Sequence, residues 1–135
     1  MTLLVLFDLD DTLLKNDIQP FVQRYFTLLA TALADSTPKE QFLWAMQSAV
    51  QAMLTKQLPA GTLQNTFDEV FYPALGVSKD DLAGKIEEFY RTEYPRLQPL
   101  TRQKPDAIQL VKNVIGRGWQ VVVATNPLFP RTAIE

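Results

Sequence analysis

The sequence predicts an α/β protein, and three observations carry that expectation. An unbroken apolar run, Leu3-Leu4-Val5-Leu6-Phe7, leads straight into acids. A β-branched run, Val121-Val122-Val123, leads into Ala124-Thr125-Asn126, and nearly everything between the two runs has helical spacing. Continuous apolar runs fit strands covered on both faces, as in a parallel sheet, and ligands of such sheets bind beyond the carboxyl ends of the strands. Asp8, Asp10 and Asp11 stand at that edge.

After the first strand, residues from Lys15 to about Leu100 carry helical signals and no strand signals. Asp17 is placed to cap a first helix with Pro20 in its first turn, and Phe21, Val22, Tyr25, Phe26, Leu28 and Leu29 then recur at helical spacing. Thr37-Pro38-Lys39-Glu40 combines an N-cap threonine, a proline at the first helical position and a capping-box glutamate. The face that follows comprises Phe42, Leu43, Met46, Ala49, Val50, Met53 and Leu54. Leu63, Phe67, Val70, Phe71 and Ala74 make a third face that Gly76 is placed to stop, and Ser78-Lys79-Asp80-Asp81 opens a fourth with Leu82, Ile86, Phe89 and Tyr90. Pro95 and Pro99 end it. From Pro105 a helix bearing Ile108, Leu110, Val111, Val114 and Ile115 runs to Gly116-Arg117-Gly118, a helix stop and tight turn before the second strand. The expected division is a discontinuous α/β core of residues 1–15 and 100–135, with an all-helical block over 16–99.

Composition narrows the chemistry. With 135 residues and 47% hydrophobic content the chain can bury one sizeable core. Thirteen basic against fifteen acidic residues, a net charge of -2, and no basic stripe make nucleic acid an unexpected partner. Cysteine is absent, which removes disulfides and thiolate sites and is compatible with a cytoplasmic location. Histidine is absent too, so acid–base work must fall to carboxylates, Lys or Tyr. The apolar opening is too short for a membrane span and lacks a basic region before it, so neither a signal peptide nor a membrane partner is expected.

Asp8-Leu9-Asp10-Asp11-Thr12 matches the D-x-D-x-[T/V] signature of the haloacid dehalogenase-like (HAD) hydrolase superfamily. Val121-Val122-Val123-Ala124-Thr125 resembles its second motif, a hydrophobic strand ending in Thr or Ser. The helical block sits where many members carry a cap. The resemblance implies a partial Rossmannoid core of parallel strands and a capped phosphatase that acts on a small phosphorylated metabolite through an aspartyl-phosphate. By the same resemblance Asp8 would be the nucleophile and a metal ligand. Asp10 would protonate the leaving oxygen, activate the hydrolytic water and offer its backbone carbonyl to the metal. Thr125 and the Asn126 backbone N–H would hold phosphoryl oxygens, and Thr12 would order the loop. A carboxylate approaching an anionic phosphoryl group needs a divalent cation and hydrogen-bond donors to offset the repulsion, and hard oxygen ligands favour Mg²⁺.

Plainer readings stand beside these. Asp-rich turns after strands are common because Asp side chains bond neighbouring backbone N–H groups, and Thr125-Asn126-Pro127 also suits a turn before a helix. Tyr25, Phe26, Trp44, Phe71 and Tyr72 could line a substrate lid, yet aromatics at helical spacing usually form core. A metal-independent dehalogenase would use the same nucleophile, but a halide leaving group needs no proton and leaves Asp10 without a task. A non-catalytic binding or scaffolding fragment is the rival from another class. The chain stops at Thr132-Ala133-Ile134-Glu135, inside the helix expected after the second strand, and no position matches the family's later Lys and acidic pair. It therefore reads as a truncated, amino-terminal portion of a longer protein, catalytically weak or inactive alone. Two strands with one crossover helix cannot cover both faces of Val5 or Val122, which leaves the incomplete core open to self-association.

Overall fold

A computed structural model of the chain describes residues 3–55, 61–125, 129, 130 and 133. The protein is mixed α/β and divides into two compact units. One comprises residues up to Val22 and Leu97 onward to residue 125; the other comprises Gln23–Arg96 with the described residues of the chain end.

In the first unit, β1 (Leu4–Phe7) pairs in parallel with β4 (Gln120–Val123), Leu4 opposite Gln120 and Phe7 opposite Val123. The crossover helix α5 (Pro105–Gly116) packs against β4. Pro105 opens it, where a missing N–H costs nothing, and Gly118 turns the chain back at φ 72°, a left-handed angle that glycine adopts freely. Side chains alternate across a strand, so Leu4 and Leu6 share one face with Val122, and Val5 and Phe7 share the other. Phe7 is 8% exposed, whereas Leu4, Leu6 and Val122 are 55%, 62% and 43% exposed. Val123, opposite Phe7, is 48% exposed, so the one crossover helix covers even that face only in part, as two parallel strands permit. The expected apolar stripe of α5 is corrected accordingly: Ala107 and Val114 are buried, while Ile108, Leu110 and Ile115 face outward.

The expectation of helices without strands from Lys15 to about Leu100 is corrected at its first residues, which pair with a segment just beyond its end. Leu14–Asn16 (β2) and Thr101–Gln103 (β3) form a short antiparallel ribbon, Leu14 opposite Gln103 and Asn16 opposite Thr101. Its sequences lack the apolar alternation that marks a half-buried strand, so pairing of the two chain segments flanking the helices, not local pattern, makes them strands.

The helices are α1 (Ile18–Ala32), α2 (Lys39–Thr55), α3 (Leu63–Leu75) and α4 (Lys79–Thr92), followed by a 3₁₀ segment, Tyr94–Leu100. Gly76 ends α3 at φ 67°, in the left-handed conformation expected of it, and its N–H donates to Pro73 and Tyr72 carbonyls. The capping box is found at α4, where Ser78 and Asp81 exchange bonds between side chain and backbone, and donation from the Ser78 hydroxyl, then from its N–H, holds the Asp81 carboxyl below its usual range. It is not found at Thr37. That side chain is buried and its hydroxyl has no hydrogen-bond partner, while the Thr37 N–H closes on the Leu33 carbonyl at 3.0 Å. The residue therefore finishes the turn after α1 instead of starting α2.

The core of the helical unit is aromatic and aliphatic. Leu33, Phe42, Phe71, Leu82 and Phe89 are essentially inaccessible to water, and each such side chain stabilises the fold by roughly 1.5–3 kcal/mol. Phe71 meets Phe42 edge-on at 6.0 Å and stacks on Phe67 at 4.8 Å. Tyr25, buried, packs edge-on against Phe89 and Phe129, and its hydroxyl shares a 2.8 Å hydrogen bond with that of Tyr90. Burial pushes the Tyr25 phenol up to about 12 and raises that of Tyr90 still further. Of the aromatics weighed between core and lid, Tyr25 and Phe71 are core, whereas Trp44 is 61% exposed. Leu54, expected on the buried face of α2, is exposed as well. No helix among the described residues is long and apolar enough to cross a membrane.

Candidate active site

The site is built on the carboxyl end of β1. The Ala124 N–H donates to the Phe7 carbonyl at 2.8 Å, which continues the parallel ladder one step past β4. Continuing that register sets Asp8 beside Ala124 and Leu9 beside Thr125, so the two motif segments leave the sheet at the same edge. Asp8 is exposed there, and Thr125 is half-buried. Asn126 lies outside the described residues.

Beyond Asp8 the chain folds into a tight turn. Leu13 and Leu14 both donate their N–H to the Leu9 carbonyl, at 2.9 and 3.0 Å, so Asp10, Asp11 and Thr12 form an exposed crest over a closed base. Asp11 takes φ 57°, the left-handed region that suits few residues other than glycine and costs roughly 1–2 kcal/mol for most of them, less for Asp. Thr12 sits at the crest, and the described bonds that close the turn are those of the backbone beneath it.

Two residues that the sequence did not single out meet this turn. The Asn16 amide donates to the Asp10 carboxylate from β2, and its own carbonyl oxygen is buried without a hydrogen-bond partner. Lys104, at the start of α5, donates its ammonium to the Asp11 carbonyl and its backbone N–H to the Leu13 carbonyl, the latter at 3.2 Å. Asn16 lies six residues from Asp10, a separation with no periodic meaning in a turn, and Lys104 is 93 residues from Asp11, so only the ribbon β2–β3 brings them in.

Asp8 and Asp10 supply hard oxygen donors at an exposed edge, which is the donor class Mg²⁺ takes when it is held by one or two carboxylates with water and a substrate phosphate completing the shell. Among the described residues no three carboxylates converge into a closed cage. Within the helical unit a surface recess of about 340 Å³ is lined by Asp35, Lys85, Glu88 and Glu93. Three of these four charges are engaged with neighbours: Glu88 with Arg91, Glu93 with Arg96 and Lys85 with the Ser36 hydroxyl, all within 2.6 Å.

No protein-family model matches the chain, and no curated protein matches it.

Proposed function

We propose that the chain carries the nucleophile and phosphate-holding part of a HAD-like phosphohydrolase acting on a small phosphorylated metabolite. The observation that carries this reading is the parallel pairing of β1 with β4, which sets the Asp8 and Thr125 segments at one sheet edge. In the proposed reaction an Asp8 oxygen attacks phosphorus and the bond to the leaving oxygen breaks, with a proton from Asp10 passing to that oxygen. The Asp10 carboxylate then takes a proton from water, whose oxygen displaces Asp8 and releases inorganic phosphate. The Asn16 amide fixes one Asp10 oxygen, which leaves the other to face the leaving group. The Thr125 hydroxyl donates to a phosphoryl oxygen. Mg²⁺ bound at Asp8 and Asp10 would offset the charge of the transferring group. The helical block, inserted between β2 and β3, fits a cap that admits small substrates, an inference from fold-level analogy.

A sensitive assay of aryl phosphate hydrolysis tests the proposal. Hydrolysis by the wild type, even where slow, should require Mg²⁺ and be lost in Asp8→Asn, whose far-UV circular dichroism should be unchanged. Equal rates in wild type and variant would overturn the reading. Metal-independent release of halide from a haloacid would move it to the dehalogenase.

A further inference from the structure

We infer that Lys104 is a positioning residue for the acidic turn, holding Asp10 in working geometry from the far side of the helical insertion; the inference rests on the phosphohydrolase reading above. Asp11 is the one described non-glycine residue with positive φ, and a backbone held in a disfavoured region persists only where its surroundings over-determine it. Lys104 supplies that constraint from two atoms of one residue. Its ammonium takes the Asp11 carbonyl and its N–H takes the Leu13 carbonyl, so the lysine straddles Thr12 and pins the turn on both sides. The Leu9 carbonyl closes the base of the same turn, leaving Asp10 between two fastened points.

Lys104 is itself held. It follows β3, which pairs with β2 directly after the turn, and it precedes Pro105, whose ring restricts the preceding residue to extended conformations; its φ of −82° and ψ of 122° obey that restriction. The side chain thus springs from a fixed point. Asp8, Asp10 and Asp11 place three carboxyl groups along this segment, and the Lys104 ammonium reaches its backbone, where a carbonyl oriented by left-handed geometry receives it.

The experiment compares wild type, Lys104→Met and Lys104→Arg in two measurements. Amide hydrogen exchange at Leu13 and Leu14 should quicken roughly tenfold in Lys104→Met, exchange in β1 and β4 should be unchanged, and Lys104→Arg should restore protection. In Mg²⁺-dependent aryl phosphate hydrolysis, kcat should fall about tenfold in Lys104→Met with KM unchanged, and Lys104→Arg should recover most of it. A merely structural lysine would lower the melting temperature without that split. An active wild type with unaltered kcat in a folded Lys104→Met overturns this inference and leaves the phosphohydrolase reading intact. A wild type no faster than its Asp8→Asn variant instead overturns the phosphohydrolase reading and the catalytic part of this inference with it.

Discussion

The two units of the protein keep water out to very different degrees. In the helical unit Leu33, Phe42, Phe71, Leu82 and Phe89 are almost wholly buried, yet in the α/β unit Leu4, Leu6, Val122 and Val123 are all more than two-fifths exposed. Hydrophobicity does not explain the difference, since the strands are the more apolar segments. A helix satisfies its own backbone and needs only one stripe covered, which its neighbours in a bundle supply. A parallel strand needs a neighbour on each edge and a layer on each face, and here one crossover helix serves a two-stranded sheet. The candidate chemistry belongs to the less well-covered unit, where the exposed crest of acids is set by hydrogen bonds and not by packing.

The contrast is broken most directly by removing a side chain from each core. Phe71→Ala should destabilise the helical unit by about 3–5 kcal/mol, because it deletes a ring packed on Phe42 and Phe67 and leaves a cavity. One tryptophan lies in each unit, Trp44 in α2 and Trp119 before β4, so unfolding in denaturant can be followed separately in Trp119→Phe and Trp44→Phe backgrounds. Equal losses at both reporters would show that the units unfold as one.

Alkali should act on the helical unit next. The Tyr25 and Tyr90 phenols are raised above their ordinary value of 10, so the folded state keeps protons that the unfolded chain releases. The stability this contributes is fully present below pH 10 and is lost as pH rises toward about 12. Tyr25→Phe should flatten that loss, and tyrosinate absorbance should show two phenols that ionise only with unfolding. Ionisation of all tyrosines near pH 10 in the folded protein would contradict the burial that separates the units.

The smallest effect belongs to the bare sheet face. Leu6→Ser should change stability by no more than about 0.5 kcal/mol, because the side chain is already 62% exposed. A cost comparable to that of Phe71→Ala, seen in the Trp44→Phe background, would mean that this face is covered in solution and would sharpen the comparison into a question about its partner.

How much was legible follows the range of each interaction. The stop at Gly76 and the cap at Ser78 were readable because turns and caps are decided within four residues. The same local logic failed at Thr37, where closure on the Leu33 carbonyl displaced the expected cap. Apolar periodicity found Phe71 and Phe89, which face neighbours, and overcalled Leu54, Ile108 and Ile115, whose positions no neighbour covers. The acids and Thr125 were marked by their place after apolar runs. Asn16 and Lys104 carried no mark, since an amide in a three-residue strand and a lysine before proline are ordinary until β2 and β3 pair.

By itself the sequence determined the two strands, the helices between them, and the acids and threonine placed after the strands, because backbone preference and apolar spacing act over a few residues. The parallel pairing of those strands was expected from their apolar runs, whereas tertiary structure alone decided the register in which they pair and that a ribbon joins residues 14–16 to 101–103. It alone delivered an amide to Asp10 and a lysine to the turn, for such contacts depend on which distant segments share hydrogen bonds, and no local preference encodes that choice.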